Sequence, residues 1–247
     1  MLEFGLDKIL PLLLELYGED KRKGIDKKAW RHPMDTVEFS FLPMLDDPKR
    51  GARLMRVGLL HDVLEDFADR IDLEELTEAV DLDEEEVYLL ELLTRDEMEL
   101  NDLAYWQRIL SSEDALIVKL GDRIANLWDL AAWIELEEGF PEDAGKVFQK
   151  YRKEYNAIVG ILREEFSEQA GYTDHPFAYQ LPLLEALMDM LETLYAVHNR
   201  EPEAFKEKTA SLFAAFAELQ RVVKVPRPTN GLSFTEFGSN GYPNGEH

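Results

Sequence analysis

Apolar residues recur at intervals of three and four along almost the whole chain. No run alternates in the two-residue rhythm of a strand bounded by hairpin turns. Leu10, Leu13, Leu14 and Tyr17 set the first such stripe, and Gly18 marks its stop. Pro33 opens a second helix, because proline is welcome in a first turn, and Asp35 and Glu38 suit the positive end of its dipole. The spacing predicts further helices over 52–70, 72–80, 84–94, 101–111, 113–137, 141–165, 178–198 and 202–223. The fold class is therefore all-α. A break is expected at Ala170–Pro176, and from Pro226 the composition turns to Pro, Gly, Asn and Ser. This divides the chain into a helical domain over 1–170, a C-terminal helical-pair appendage over 171–225 and an irregular tail over 226–247.

With 247 residues, 45% of them hydrophobic, the chain can bury a real core. No run approaches the roughly 18–20 apolar residues of a membrane span. The opening segment shows neither a basic n-region nor a cleavage site. The absence of cysteine excludes disulfides, thiolate metal sites and cysteine nucleophiles, and fits a cytoplasmic, reducing setting. The net charge of −24 disfavours duplex nucleic acid and anionic membrane as partners, since phosphate contacts need clustered Lys and Arg. The imbalance is uneven, however. Residues 1–56 hold 11 basic and 10 acidic side chains, and Lys21, Arg22, Lys23, Lys27, Lys28 and Arg31 crowd one short stretch. That stretch reads either as a local site for a small anion or as a solvated basic loop.

Two segments carry candidate chemistry. In the first, Leu60, Val63, Leu64 and Phe67 share one helical face. His61 and Asp62 fall on the other, with Glu65 and Asp66 one turn beyond. By itself this is an ordinary amphipathic helix. The second, Ala115–Trp128, is so apolar that it must be buried on most sides, so Asp122 within it needs a partner. Arg123 or Arg56 would make a structural ion pair. A metal ion is the sharper alternative, with His61, Asp62 and Asp122 as ligands and His32 completing the set. Two imidazoles and two carboxylates without thiolate favour a six-coordinate divalent ion such as Mn²⁺, Fe²⁺ or Mg²⁺ over structural zinc. Glu65 and Asp66 would then stand close enough to handle protons.

The order His32-Pro33, His61-Asp62-Val-Leu-Glu65-Asp66 and Lys119-Leu-Gly-Asp122-Arg-Ile-Ala-Asn126 resembles the HD-domain metal-dependent phosphohydrolases. Within them it is most similar to the RelA/SpoT-type (p)ppGpp hydrolases, particularly the small stand-alone alarmone hydrolases. Leu93-Thr94-Arg95, Tyr105 and Val118-Lys119-Leu120 resemble that group too, and the likeness covers roughly residues 8–165. The resemblance implies an HD-domain helical bundle with one Mn²⁺ on His32, His61, Asp62 and Asp122. It implies Glu65 and Asp66 as the catalytic acids acting on the 3′-pyrophosphate, with GDP or GTP and pyrophosphate as products. It implies Arg22, Lys23, Asn126 and Tyr151 as substrate-binding residues. Two departures mark this chain. Gly24-Ile-Asp-Lys-Lys-Ala-Trp30-Arg31 replaces the usual Gly-Glu-Pro-Tyr segment that helps shape the nucleobase pocket, and Gly121 stands where Ala is usual, which reads as a minor change.

The altered segment keeps open a nucleotidase or a nicotinamide-dinucleotide phosphatase with the same metal site. From another class comes a catalytically silent nucleotide-binding or regulatory module, whose C-terminal helices make a homo-oligomer or partner surface. His175 and His198 read as structural, the latter favourable at a helix C-terminus. Trp106, Trp128 and Trp133 read as core, whereas Trp30, beside the basic loop, is a candidate for lining a pocket. Asp83 reads as a helix cap ahead of an acidic first turn.

Overall fold

The computed structural model describes residues 5–95, 102–165 and 175–222. Among them no strand occurs, and the one pairing of extended type is an isolated bridge between Lys21 and Lys28. The all-α class stands. No described helix is long and apolar enough to cross a membrane. The helices are α1 (Leu6–Tyr17), α2 (Arg31–Phe39), α3 (Pro48–Leu60), α4 (Val63–Asp66), α5 (Leu73–Val80), α6 (Glu84–Leu93), α7 (Asp102–Leu110), α8 (Glu113–Leu136), α9 (Glu142–Glu165), α10 (Phe177–Arg200) and α11 (Phe205–Val222).

α8 is the axis of the structure. Ser112 caps it by accepting from the Ala115 N–H, and Glu113 and Asp114 place negative charge at its positive end. Beyond that turn most of its residues are buried, and α2, α3, α6, α7, α9 and α10 all pack against it. The crossing with α2 is close because of Gly121. A Cβ there would lie 2.5 Å from the Thr36 carbonyl oxygen and 2.4 Å from Ser40 Oγ, inside any tolerable contact. The Gly121 position is thus a requirement of this crossing rather than a minor change, and α2 and α8 each carry a candidate metal ligand.

The cap expected at Asp83 forms, as half of a capping box with Glu86, and Asp72 and Glu75 repeat the device on α5. The continuous helix expected over 52–70 does not form. α3 ends at Leu60, and α4 starts only at Val63. Between them Asp62 adopts φ −99° and ψ −5°, and the His61 ring nitrogen Nδ1 contacts the Gly58 carbonyl oxygen at 2.8 Å. A side chain therefore serves a carbonyl near the helix end. The break turns His61 inward, where it is 1% exposed, instead of leaving it on an outer face.

The C-terminal pair, expected as an appendage, packs into the same core. Phe177, Leu184, Leu187, Leu191 and Leu194 of α10 are buried. The buried Gln180 amide donates to the carbonyls of Phe39 (3.1 Å) and Ile117 (2.7 Å), tying α10 to α2 and α8. Trp128 lies between Phe39 and Phe216, which brings α11 onto the same layer. Trp106 and Trp133 are buried as expected of core residues. His175 Nδ1 accepts from the Phe177 N–H at 3.2 Å, and His198 Nδ1 from the Phe140 N–H at 3.4 Å. Both histidines therefore have structural work. The predicted tail, with Phe234 and Phe237, and most of the predicted 170–176 break lie outside the described residues.

Candidate metal centre

Three parts of the fold deliver the four candidate ligands. The first turn of α2 supplies His32, the α3–α4 break supplies His61 and Asp62, and the middle of α8 supplies Asp122. One ligand atom from each lies within 4.8 Å of all the others. His32 Nε2 is 3.1 Å from Asp122 Oδ1 and 3.3 Å from Asp62 Oδ2. His61 Nε2 is 3.0 Å from Asp62 Oδ2 and 3.6 Å from Asp122 Oδ1. His32, His61 and Asp122 are buried, whereas Asp62 is 20% exposed at its side chain, so access to the cluster is from the Asp62 side.

The donor set fits a divalent cation, and the hydrogen bonding supports that fit. The His61 contact with Gly58 through Nδ1 points Nε2 inward, where it is buried and makes no hydrogen bond of acceptable geometry. Asp122 is oriented from two sides. Lys119 Nζ holds Oδ2 at 2.8 Å, and the Asn126 amide donates to Oδ1 and to the Asp122 carbonyl. His32 Nδ1 is also buried without a hydrogen-bond partner, and the ring is held at Nε2 by Asp122 Oδ1, 3.1 Å away.

His61, Asp62 and Asp122 are all shifted toward their charged forms. Burial opposes a charged imidazole, yet Asp62 and Asp122 push the His61 pKa up to about 10. Burial likewise opposes charge on Asp62 and Asp122, but His61 and His32 hold Asp62 far below the ordinary carboxylate range. Lys119 does the same for Asp122, aided by both histidines. The ion-pair partners considered for Asp122 are engaged elsewhere. Arg123 pairs with Glu154 at 2.8 Å, and Arg56 pairs with Glu86 at 2.6 Å.

The remaining predicted site residues fall into two sets. Asp66, Arg22 and Asn126 adjoin the cluster, and Glu65 shares the short helix α4 with Asp66 but has an exposed side chain. Glu65 accepts the Arg95 backbone N–H at 2.5 Å. Asp66 accepts from the Tyr17 hydroxyl at 3.3 Å, and burial together with Asp62 raises its pKa. Arg22 Nη2 donates to Asn126 Oδ1 at 2.7 Å. Lys23 stands apart, its ammonium 2.9 Å from Asp143 with both side chains largely exposed. Tyr151 lies with the Arg123 guanidinium 4.4 Å from its ring centroid, beside a void of about 10 Å³ that Trp106 and Glu154 also line. Trp30 is half-buried under the Arg31 guanidinium.

The basic stretch does not present an open cationic patch. Lys21 pairs with Asp26, Lys28 with Glu19, Lys23 with Asp143, Arg22 with Asp129, and Lys27 with both Asp35 and Asp129. The loop rests on α8 through Gly24, whose φ is +79° and where a Cβ would fall 2.1 Å from the Trp133 indole. Sequence reasoning gave no site role to three residues that the structure links to the cluster or its neighbours. Lys119 and Asp129 were detectable as i−3 from Asp122 and i+3 from Asn126 on α8. Tyr17 reaches Asp66 only through the packing of α1, and no local pattern announces it. No protein-family model matches the chain, and a search of curated proteins finds no similar one.

Proposed function

We propose that this chain is a divalent-metal-dependent phosphohydrolase acting on an anionic nucleotide, with the 3′-pyrophosphate of (p)ppGpp as its leading substrate and Mn²⁺ as its leading ion. The observation that carries the reading is the convergence of His32, His61, Asp62 and Asp122, with the acids Glu65 and Asp66 in the short helix that follows Asp62. A purely structural ion needs ligands only; hydrolysis also needs groups that move protons. A bound divalent ion would lower the pKa of a water molecule and neutralise phosphate charge.

The protein's own side chains do the rest. The Arg95 N–H fixes one oxygen of Glu65, and Tyr17 fixes one oxygen of Asp66, so both carboxyl groups are oriented in the turn that follows Asp62. Arg22, docked against Asn126, offers positive charge next to Asp122 for a phosphate oxygen. In the proposed reaction water adds to the phosphorus attached to the ribose 3′ oxygen, and that P–O bond breaks. Glu65 and Asp66 between them accept the proton from water and return one to the 3′ oxygen. The products are pyrophosphate and GDP or GTP.

The neutralised state of the basic loop favours a second reading with a smaller anionic group, a nucleotidase or nicotinamide-dinucleotide phosphatase that releases orthophosphate. One assay separates them: purified protein with Mn²⁺ and a panel of ppGpp, pppGpp, NADPH and deoxynucleoside monophosphates, products resolved by ion exchange. Pyrophosphate and GDP from ppGpp are expected, lost in Asp62→Ala together with the metal. In Glu65→Ala turnover is lost while the metal stays. Orthophosphate from another member of the panel selects the second reading. No turnover of any member by metal-loaded protein overturns the enzyme reading in favour of a nucleotide-binding module.

A further inference from the structure

We infer that Asp129 is a positioning residue that presets the Arg22 guanidinium for a phosphate oxygen of the substrate; the inference rests on the phosphohydrolase reading above. Asp122, Asn126 and Asp129 occur at i, i+4 and i+7 and form one stripe of α8. Arg22 spans the upper part of that stripe. Its Nε donates to Asp129 Oδ2 at 3.1 Å and its Nη2 to Asn126 Oδ1 at 2.7 Å. Because the Asn126 oxygen takes the Arg22 donation, its Nδ2 faces Asp122, to which it donates at both the side chain and the carbonyl. A continuous chain of hydrogen bonds thus runs from Asp129 through Arg22 and Asn126 to a candidate metal ligand.

Two features separate this from a loop fastening. Asp129 is buried, and its oxygens divide their work: Oδ1 holds Lys27 at 2.5 Å, which alone would pin the loop, while Oδ2 goes to Arg22. Lys27 also meets Asp35 at 2.5 Å, so the loop keeps an anchor on α2 independent of Arg22. Meanwhile Arg22 extends from an irregular loop, where a long side chain would otherwise sample many rotamers. Fixing it beforehand removes that ordering cost from ligand binding. Its Nε and Nη2 are used, which leaves Nη1 for an incoming oxygen.

The test is a double-mutant cycle on the full chain loaded with Mn²⁺, with inorganic pyrophosphate binding followed by calorimetry and metal stoichiometry measured in parallel. Asp129→Ala and Arg22→Ala should each weaken pyrophosphate about tenfold, and the double variant should be no weaker than Arg22→Ala alone, because a group acting through Arg22 has nothing left to position. Asp129→Asn, which keeps size and one acceptor, guards against misfolding of the alanine variant and should fall between it and the parent. Metal content should stay at one per chain throughout. Additive losses in the cycle, or unchanged or tighter binding in Asp129→Ala, would overturn the inference while leaving the phosphohydrolase reading intact. A parent protein that holds metal but takes no pyrophosphate would overturn both.

Discussion

The bundle buries charge in two ways, and the Arg56–Glu86 pair and the His32–His61–Asp62–Asp122 cluster are its opposite cases. In the pair every acceptor closes on a donor. Glu86 Oε1 takes Arg56 Nε at 2.6 Å, Oε2 takes the Asp83 N–H at 3.0 Å, and Arg56 Nη2 adds the Val80 carbonyl at 2.8 Å. One positive charge meets one negative charge, and the result joins α3 to α6. In the cluster two carboxylates converge on two imidazoles, one inward nitrogen has no hydrogen bond, and Lys119 engages only the far oxygen of Asp122. A balanced pair needs nothing from outside the chain. The cluster has the oxygen and nitrogen donors that a cation would bring together, displacing the proton His61 carries in its absence.

That difference can be broken experimentally. The largest stability effect is expected for Glu86→Ala, which removes the carboxylate paired with the largely buried Arg56 guanidinium. Unfolding in urea should show a loss of about 3–5 kcal/mol with metal stoichiometry unchanged. Replacing Arg56 and Glu86 together by apolar residues of similar volume should restore most of that stability, a rescue that no apolar pair at the cluster can give for metal binding. Next in size is Lys119→Met. It frees Asp122 Oδ2 and should weaken the metal by about 10–100-fold, the usual penalty for losing a group that orients a ligand; a competition titration with a chelating dye checks it.

Gly121→Ala sharpens the comparison from the packing side. The added methyl meets the Thr36 carbonyl, so α2 and α8 must part, at about 1–3 kcal/mol by thermal unfolding. Since His32 and Asp122 travel with those helices, metal affinity should fall as well, whereas the Arg56–Glu86 pair should be untouched. The smallest effect concerns pH. Burial raises the pKa of Glu113, but Arg50 more than offsets this and holds it below its ordinary value of 4.5. The stability this pairing adds is present above that value and is lost as pH falls through the lowered one. Arg50→Met should therefore flatten the acid side of the stability–pH curve, measured by denaturant midpoints, with little change near neutrality.

The candidate ligands were legible because a helix as apolar as α8 leaves Asp122 conspicuous and because His61-Asp62 stands next to a second acidic pair. The break that aims His61 inward was not. Leu60, Val63, Leu64 and Phe67 keep helical spacing across it, so the apolar stripe reads straight through the turn. Gly121 could not be weighed without knowing how near α2 passes. Similarly, the family resemblance implied one site for Arg22 and Lys23, whereas the loop sends Arg22 to Asn126 and Lys23 to Asp143 on α9. Residue types and helical phase carry information along one element. The direction of a loop side chain, and long-range partners such as Tyr17 and Asp66, depend on packing that no local pattern encodes.

The central claim is that the cluster binds a cation, and elemental analysis of the purified chain after saturation with Mn²⁺ and removal of free metal tests it most directly. One equivalent per chain is expected for the parent protein and essentially none for Asp62→Ala or Asp122→Ala, each with an unaltered helical circular dichroism spectrum. Full occupancy in either variant, or no retained divalent ion in the parent across Mn²⁺, Fe²⁺, Mg²⁺ and Zn²⁺, would contradict it.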